Sequence, residues 1–116
     1  VRLTSDCPLL DPNLIDFIVN CAITAGAAYT SNVMKLTFPD GVDCEVMSKK
    51  MLNFLYGSVK SRYGREHVTT AIRDNPRLHE QFDIVSVESV KDYSKVKLSI
   101  DTPDDLERVR AIENER

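Results

Sequence analysis

The chain has 116 residues, 42% of them hydrophobic and 28% charged, and carries a formal net charge of −3. That length makes it one domain or a piece of one, with enough apolar material for a modest core. The negative balance excludes general electrostatic attraction to nucleic acid or to an anionic membrane, since both select basic surfaces.

Val1-Arg2-Leu3-Thr4 reads as a short buried strand that begins at the first residue, followed by the loop Ser5-Asp6-Cys7-Pro8. Domains seldom open on a core strand with nothing before it, so the chain is expected to be the later part of a longer domain. Asp11-Pro12 supplies an N-cap with proline at the first helical position. Leu14, Ile18, Cys21 or Ala22, and Ala25 then recur at helical spacing until Gly26 stops the helix. The run 27–33 reads as the next strand, which completes a parallel β-α-β unit. Phe38-Pro39-Asp40-Gly41 carries turn chemistry. Beyond it Val42, Cys44 and Val46 alternate with Asp43, Glu45 and Met47, the period of a half-buried strand with the acids facing outward.

Ser48 caps a predicted helix whose apolar face is Met51, Leu52, Leu55, Tyr56 and Val59, stopped near Gly64. A second short helix is expected over about 65–74, ended by Asn75-Pro76. Ile84 to Glu88 and Val96 to Ile100 read as two more strands, the latter with Val96, Leu98 and Ile100 on one face. Asp101-Thr102-Pro103-Asp104-Asp105 follows, with Thr102 as N-cap, Pro103 at the first helical position and two acids at the positive end of the helix dipole. Leu106, Val109 and Ile112 mark that helix's buried face. The class is α/β. Cys7, Cys21 and Cys44 form no C-x-x-C pair, so reduced thiols in a cytoplasmic protein are a simpler expectation than a disulfide framework or a zinc site. No apolar run approaches the ~18 residues that span a bilayer, and no secretory signal opens the chain.

In open α/β sheets, ligands collect beyond the carboxyl ends of the strands. Asp6 follows the first expected strand and Asp101 the last, so parallel strands would bring both to one rim. Two carboxylates there suit Mg²⁺, a hard cation held by one or two carboxylates together with phosphate oxygens and water. The alternative is that Asp101 is a helix-start acid and Asp6 a loop acid.

Four motifs extend this reading: Thr4-Ser5-Asp6-Cys7-Pro8-Leu9 with Asp11-Pro12, then 38–46 (Phe38-Pro39-Asp40-Gly41-Val42-Asp43-Cys44-Glu45-Val46), then Arg65-Glu66-His67-Val68-Thr69, then Ile100-Asp101-Thr102-Pro103-Asp104-Asp105-Leu106-Glu107. In this order and spacing they resemble the cytidylyltransferase family, above all its spore-coat polysaccharide biosynthesis type. The CMP-3-deoxy-manno-octulosonate and acylneuraminate cytidylyltransferases are more distant relatives. The resemblance covers nearly the whole chain. It implies the C-terminal part of a nucleotide-diphospho-sugar transferase-like three-layer α/β/α sandwich with a mixed, mostly parallel sheet.

The activity it implies is transfer of CMP from CTP to a sugar, releasing pyrophosphate, for surface polysaccharide biosynthesis. It also implies Mg²⁺ on Asp6 and Asp101, a homodimer, and no membrane or nucleic-acid partner. Asp40, Asp43, Glu45 and Glu66 would then lie toward the sugar, with His67 as the one titratable candidate for a base. Read from the residues alone, Glu66 and His67 are equally a solvated pair on a surface helix, and Asp43 and Glu45 a solvated strand face. Ser5 stands where relatives usually have Gly. The family's nucleotide-gripping strand and basic loop would precede Val1, so the chain by itself is expected to be inactive. A non-catalytic dimerisation or regulatory module is the competing reading. A glycosyltransferase of similar architecture usually carries a D-x-D motif, and Ser5-Asp6-Cys7 has one acid.

Overall fold

The computed structural model describes residues 1–116. Its elements in chain order are helix α1 (Pro12–Ala25), strands β1 (Tyr29–Ser31) and β2 (Glu45–Met47), helices α2 (Lys49–Ser58), α3 (Arg62–Glu66), α4 (Thr70–Asp74) and α5 (Pro76–Gln81), strand β3 (Ile84–Ser86) and helix α6 (Pro103–Glu115). The strands form one sheet in the order β2-β1-β3, with β1 antiparallel to β2 and parallel to β3. The sheet is therefore mixed, with one ladder of each sense rather than mostly parallel.

Register explains the layering. Tyr29 pairs with Met47 on one side and Ile84 on the other, so the three share a face. That face packs on Met51 and Leu55 of α2, Ile72 of α4 and Leu78 of α5. On the opposite face Val46 joins a second cluster, in which Ile18 of α1 meets Cys44 and Val87. Helices thus cover both sides of the sheet, as an α/β sandwich requires.

The long helices end where the sequence says they should. Asp11 accepts from the Asn13 N–H at the start of α1, and Gly26 closes it in the left-handed conformation at φ 60°. In α6, Thr102 and Asp105 form a reciprocal capping box behind Pro103.

Other expectations are corrected. Val1–Thr4 is not a buried strand: Val1 is 66% exposed, and only Arg2 pairs, in an isolated bridge with Glu45. Val96–Ile100 is not a strand either. It makes one bridge, Lys97 with Asp40, and its burial is the reverse of the expected pattern, with Val96 exposed and Ser99 buried. The helix expected over 65–74 is two pieces, because Ser61 caps an earlier start and the β-branched run Val68-Thr69-Thr70 interrupts the turn. Pro76 opens α5 behind the Asn75 cap instead of merely ending what precedes it. On α2, Met51 and Leu55 are buried, but Leu52 and Tyr56 face outward.

Candidate functional site

The loop that carries Asp6 and the loop that carries Asp101 touch. The turn at Thr4–Cys7 closes through a hydrogen bond from the Cys7 N–H to the Thr4 carbonyl, and the Ile100 N–H donates to the Asp6 carbonyl at 2.9 Å. Residues remote in sequence are thereby joined one position short of Asp101, and both acidic side chains lie exposed. Hydrogen bonding from Thr4 holds the Asp6 carboxyl below its usual range, against a smaller opposing effect of burial. Burial pushes the neighbouring Cys7 thiol up.

No strand supports the 96–101 segment, so something else must hold it. Asp40 does this with its main chain and its carboxylate. Its N–H donates to the Val96 carbonyl at 2.9 Å, and its carbonyl accepts from the Leu98 and Ser99 N–H groups at 2.6 and 3.1 Å. The Ser99 hydroxyl donates to the Asp40 carboxylate at 2.8 Å. Gly41 makes this approach possible. It sits at φ 108°, and a Cβ there would collide with the backbone of Leu98 and Ser99.

Asp105 anchors the far side of the Asp101 loop. It is buried, with 5% of its surface exposed, and accepts from the Asp101 and Thr102 N–H groups, from Lys97 Nζ at 2.7 Å and from Arg108 Nη2 at 2.8 Å. These bonds, the one from Lys97 first, hold its carboxyl far below the usual range. Lys97 also reaches Asp101 at 2.9 Å, and the two carboxylates raise its own pKa, Asp105 more than Asp101.

Glu45 is not on a solvated face. Its register opposite Ser31 turns it to the side of Tyr29, where it is 3% exposed. The Tyr29 hydroxyl donates to Oε1 and the Arg2 guanidinium to Oε2. Burial first, and the bond to Glu45 second, push the Tyr29 phenol well above its ordinary value, so it remains a donor. Beside this network lies a polar pocket of about 70 Å³ lined by Arg2, Thr4, Asp43, Glu45, Thr69 and Arg73. Burial raises the Asp43 carboxyl pKa, helped by the charges of Asp40, Asp6 and Glu45. The predicted acids Asp6, Asp40, Asp43 and Glu45 thus share one neighbourhood.

Glu66 and His67 do not join it. They are exposed at the end of α3, where His67 lies against the Tyr63 ring with centroids 4.5 Å apart. From the motif that contains them it is Thr69, buried at the α3–α4 junction, that lines the pocket. Sequence reasoning missed Arg2, Thr69, Arg73 and Lys97, single residues without a patterned partner. Asp105 was readable as more than a dipole acid, because T-x-x-D is a capping-box spacing.

No group of three or more His, Cys, Asp or Glu side chains is arranged to hold a metal ion. Two exposed carboxylates on apposed loops are nevertheless the donor set Mg²⁺ uses when substrate and water complete its shell. No helix is long and apolar enough to cross a membrane.

Comparison with known proteins supplies the kinship. The chain is 31% identical over 114 residues to the spore coat polysaccharide biosynthesis protein SpsF of Bacillus subtilis, covering 97% of this chain and 45% of that protein. It is 33% identical over 106 residues to an uncharacterised protein of Methanocaldococcus jannaschii, covering 91% of this chain and 42% of that protein. The structure of a cytidylyltransferase from Leptospira borgpetersenii superposes with a TM-score of 0.92 at 29% identity, covering 99% of this chain and 48% of that one. No protein-family model matches. The chain spans about half the length of the relatives it matches, and over that half it is their homologue and has the cytidylyltransferase fold.

Proposed function

Because the chain is a homologue of cytidylyltransferases over nearly its whole length, we propose that it is the C-terminal portion of an enzyme that transfers CMP from CTP to a sugar for surface polysaccharide biosynthesis. The observation that carries this reading is the hydrogen bond from the Ile100 N–H to the Asp6 carbonyl, which sets the acids of the first and last motifs in touching loops. Asp6 and Asp101 would hold a Mg²⁺. That ion, when bound, supplies Lewis-acid stabilisation of phosphate charge and a template for the reacting groups.

In the reaction, the sugar hydroxyl oxygen bonds to the α-phosphorus of CTP. The bond from that phosphorus to the bridging oxygen breaks, pyrophosphate leaves, and the hydroxyl proton passes to water or to the departing pyrophosphate. The residues of this chain position rather than react. Asp43, Thr69 and Arg73 offer the sugar hydroxyls a mixed set of acceptors and donors in the polar pocket. Asp40 braces the Asp101 loop through Ser99, and Glu45 ties down Arg2 and Tyr29, so both support the substrate side from behind. Glu66 and His67 stand outside this group and receive no step.

The test is CTP- and sugar-dependent pyrophosphate release by the longer polypeptide that carries these residues. Asp6→Asn and Asp101→Asn should each lower kcat/KM by about 10²- to 10⁴-fold. The double change should cost little more than either one, as expected of residues acting as a unit. Near-normal activity of Asp101→Asn at limiting Mg²⁺ would refute the assignment.

The competing reading is a non-catalytic dimerisation or regulatory module of the same fold. Absence of pyrophosphate release from the longer polypeptide selects it. A homodimer belongs to both readings and is supported by the exposed Leu52, Tyr56 and Tyr63. Light scattering that reports a monomer would count against it.

A further inference from the structure

We propose that Lys97 is a resident cation at Asp101, where its ammonium occupies one carboxylate oxygen and repels a free divalent ion that approaches the other. The inference rests on the reading of Asp101 as a metal ligand. Lys97 Nζ lies 2.9 Å from Asp101 Oδ2 and 2.7 Å from Asp105 Oδ2, and one ammonium has donors for both. The two carboxylates are not equivalent. Asp105 is buried and held by Arg108 and by the Asp101 and Thr102 N–H groups, whereas Asp101 is exposed and takes no other side-chain donor.

The lysine is fixed at both ends. Its carbonyl accepts from Arg108 Nε at 3.1 Å, and its backbone bridges to Asp40. Arg108 therefore grips the main chain of Lys97 and the carboxylate that anchors its ammonium. An ammonium tethered in this way stays beside Asp101 whether or not another cation arrives. A bare divalent ion would meet both the occupied oxygen and a fixed like charge. One that arrives on a triphosphate brings negative charge that the ammonium favours. Lys97 thus selects against the free ion and for the nucleotide-bound one.

The test uses Mn²⁺ alone as probe, with the longer polypeptide that carries these residues and its variants. Free Mn²⁺ is read by electron paramagnetic resonance, and far-UV circular dichroism monitors the fold. Lys97→Met should tighten Mn²⁺ binding about three- to tenfold, the size of a screened like-charge contact at short range. Lys97→Gln, which keeps a donor for Asp105 without the charge, should give a similar gain. Lys50→Met, which removes the same charge from exposed α2, should give none. Unchanged or weaker binding in both Lys97 variants overturns the proposal. If Asp101→Asn still weakens Mn²⁺ binding in that case, Asp101 stands as a ligand and only the lysine's role fails. A gain that survives Asp101→Asn in the Lys97→Met background overturns both.

Discussion

Replacing Glu45 tests the structure where it departs most sharply from a solvated strand face. The carboxylate is buried, with one oxygen taken by the Tyr29 hydroxyl and the other by Arg2. Glu45→Ala removes both bonds, leaves the phenol without an acceptor and strands a guanidinium. Breaking a buried pair from one side costs about 3–5 kcal/mol. Arg2 keeps a third of its side-chain surface in water and can turn outward, so about 2–4 kcal/mol is the appropriate expectation. Glu45→Gln retains an oxygen for Tyr29 but turns an amide NH2 toward Arg2, losing that hydrogen bond with the charge, and should cost about 1–3 kcal/mol. Urea unfolding followed by circular dichroism measures both. A cycle with Arg2→Met should return a coupling of about 1 kcal/mol. If Glu45→Ala costs less than about 0.5 kcal/mol, as a surface substitution would, the buried network and the register behind it are wrong.

Gly41→Ala should destabilise by about 2–4 kcal/mol, since the new Cβ meets the Leu98–Ser99 backbone at a φ that L-residues avoid, and a midpoint shift in urea measures it. Asp105 has a depressed carboxyl pKa, so its contribution to stability is present above the ordinary Asp value and is lost as pH falls through the lower native one. Asp105→Asn should accordingly melt several degrees below wild type at pH 7, with the difference shrinking in strong acid. Asp43 has the opposite sign: its raised pKa favours the protonated form in the native chain, a contribution lost as pH rises through the native value. Asp43→Asn should therefore raise Tm at pH 7 and lose that advantage near pH ~4, which a melting series across pH reads directly.

What was legible in the sequence was local. The α1 boundaries follow from Asp11-Pro12 and Gly26, and the α6 start from Thr102-Pro103, because caps act within a few residues of the chain. Strands depend on a distant partner that alternation does not name. Val1–Thr4 and Val96–Ile100 have the right period, yet each finds only an isolated bridge. The loops that carry Asp6 and Asp101 meet through a main-chain hydrogen bond, not as the ends of parallel strands at a common rim. Glu45 was misplaced because outward and inward faces of β2 are both covered here, one by α1 and the other by α2 and α4. Lys97 and Arg2 show no signal as single cations, since their roles arise from carboxylates brought near by folding.

The hydrogen bond between the Asp6 and Asp101 loops joins main-chain atoms, the Ile100 N–H and the Asp6 carbonyl. Changing the side chains at Ser5 and Ile100 therefore leaves donor and acceptor in place, and among the natural residues only proline at 100 removes the donor. A deep mutational scan should register this as a column tolerant of most substitutions at Ile100 with one sharp exception. The link between the two loops therefore depends on backbone geometry more than on which side chains surround it.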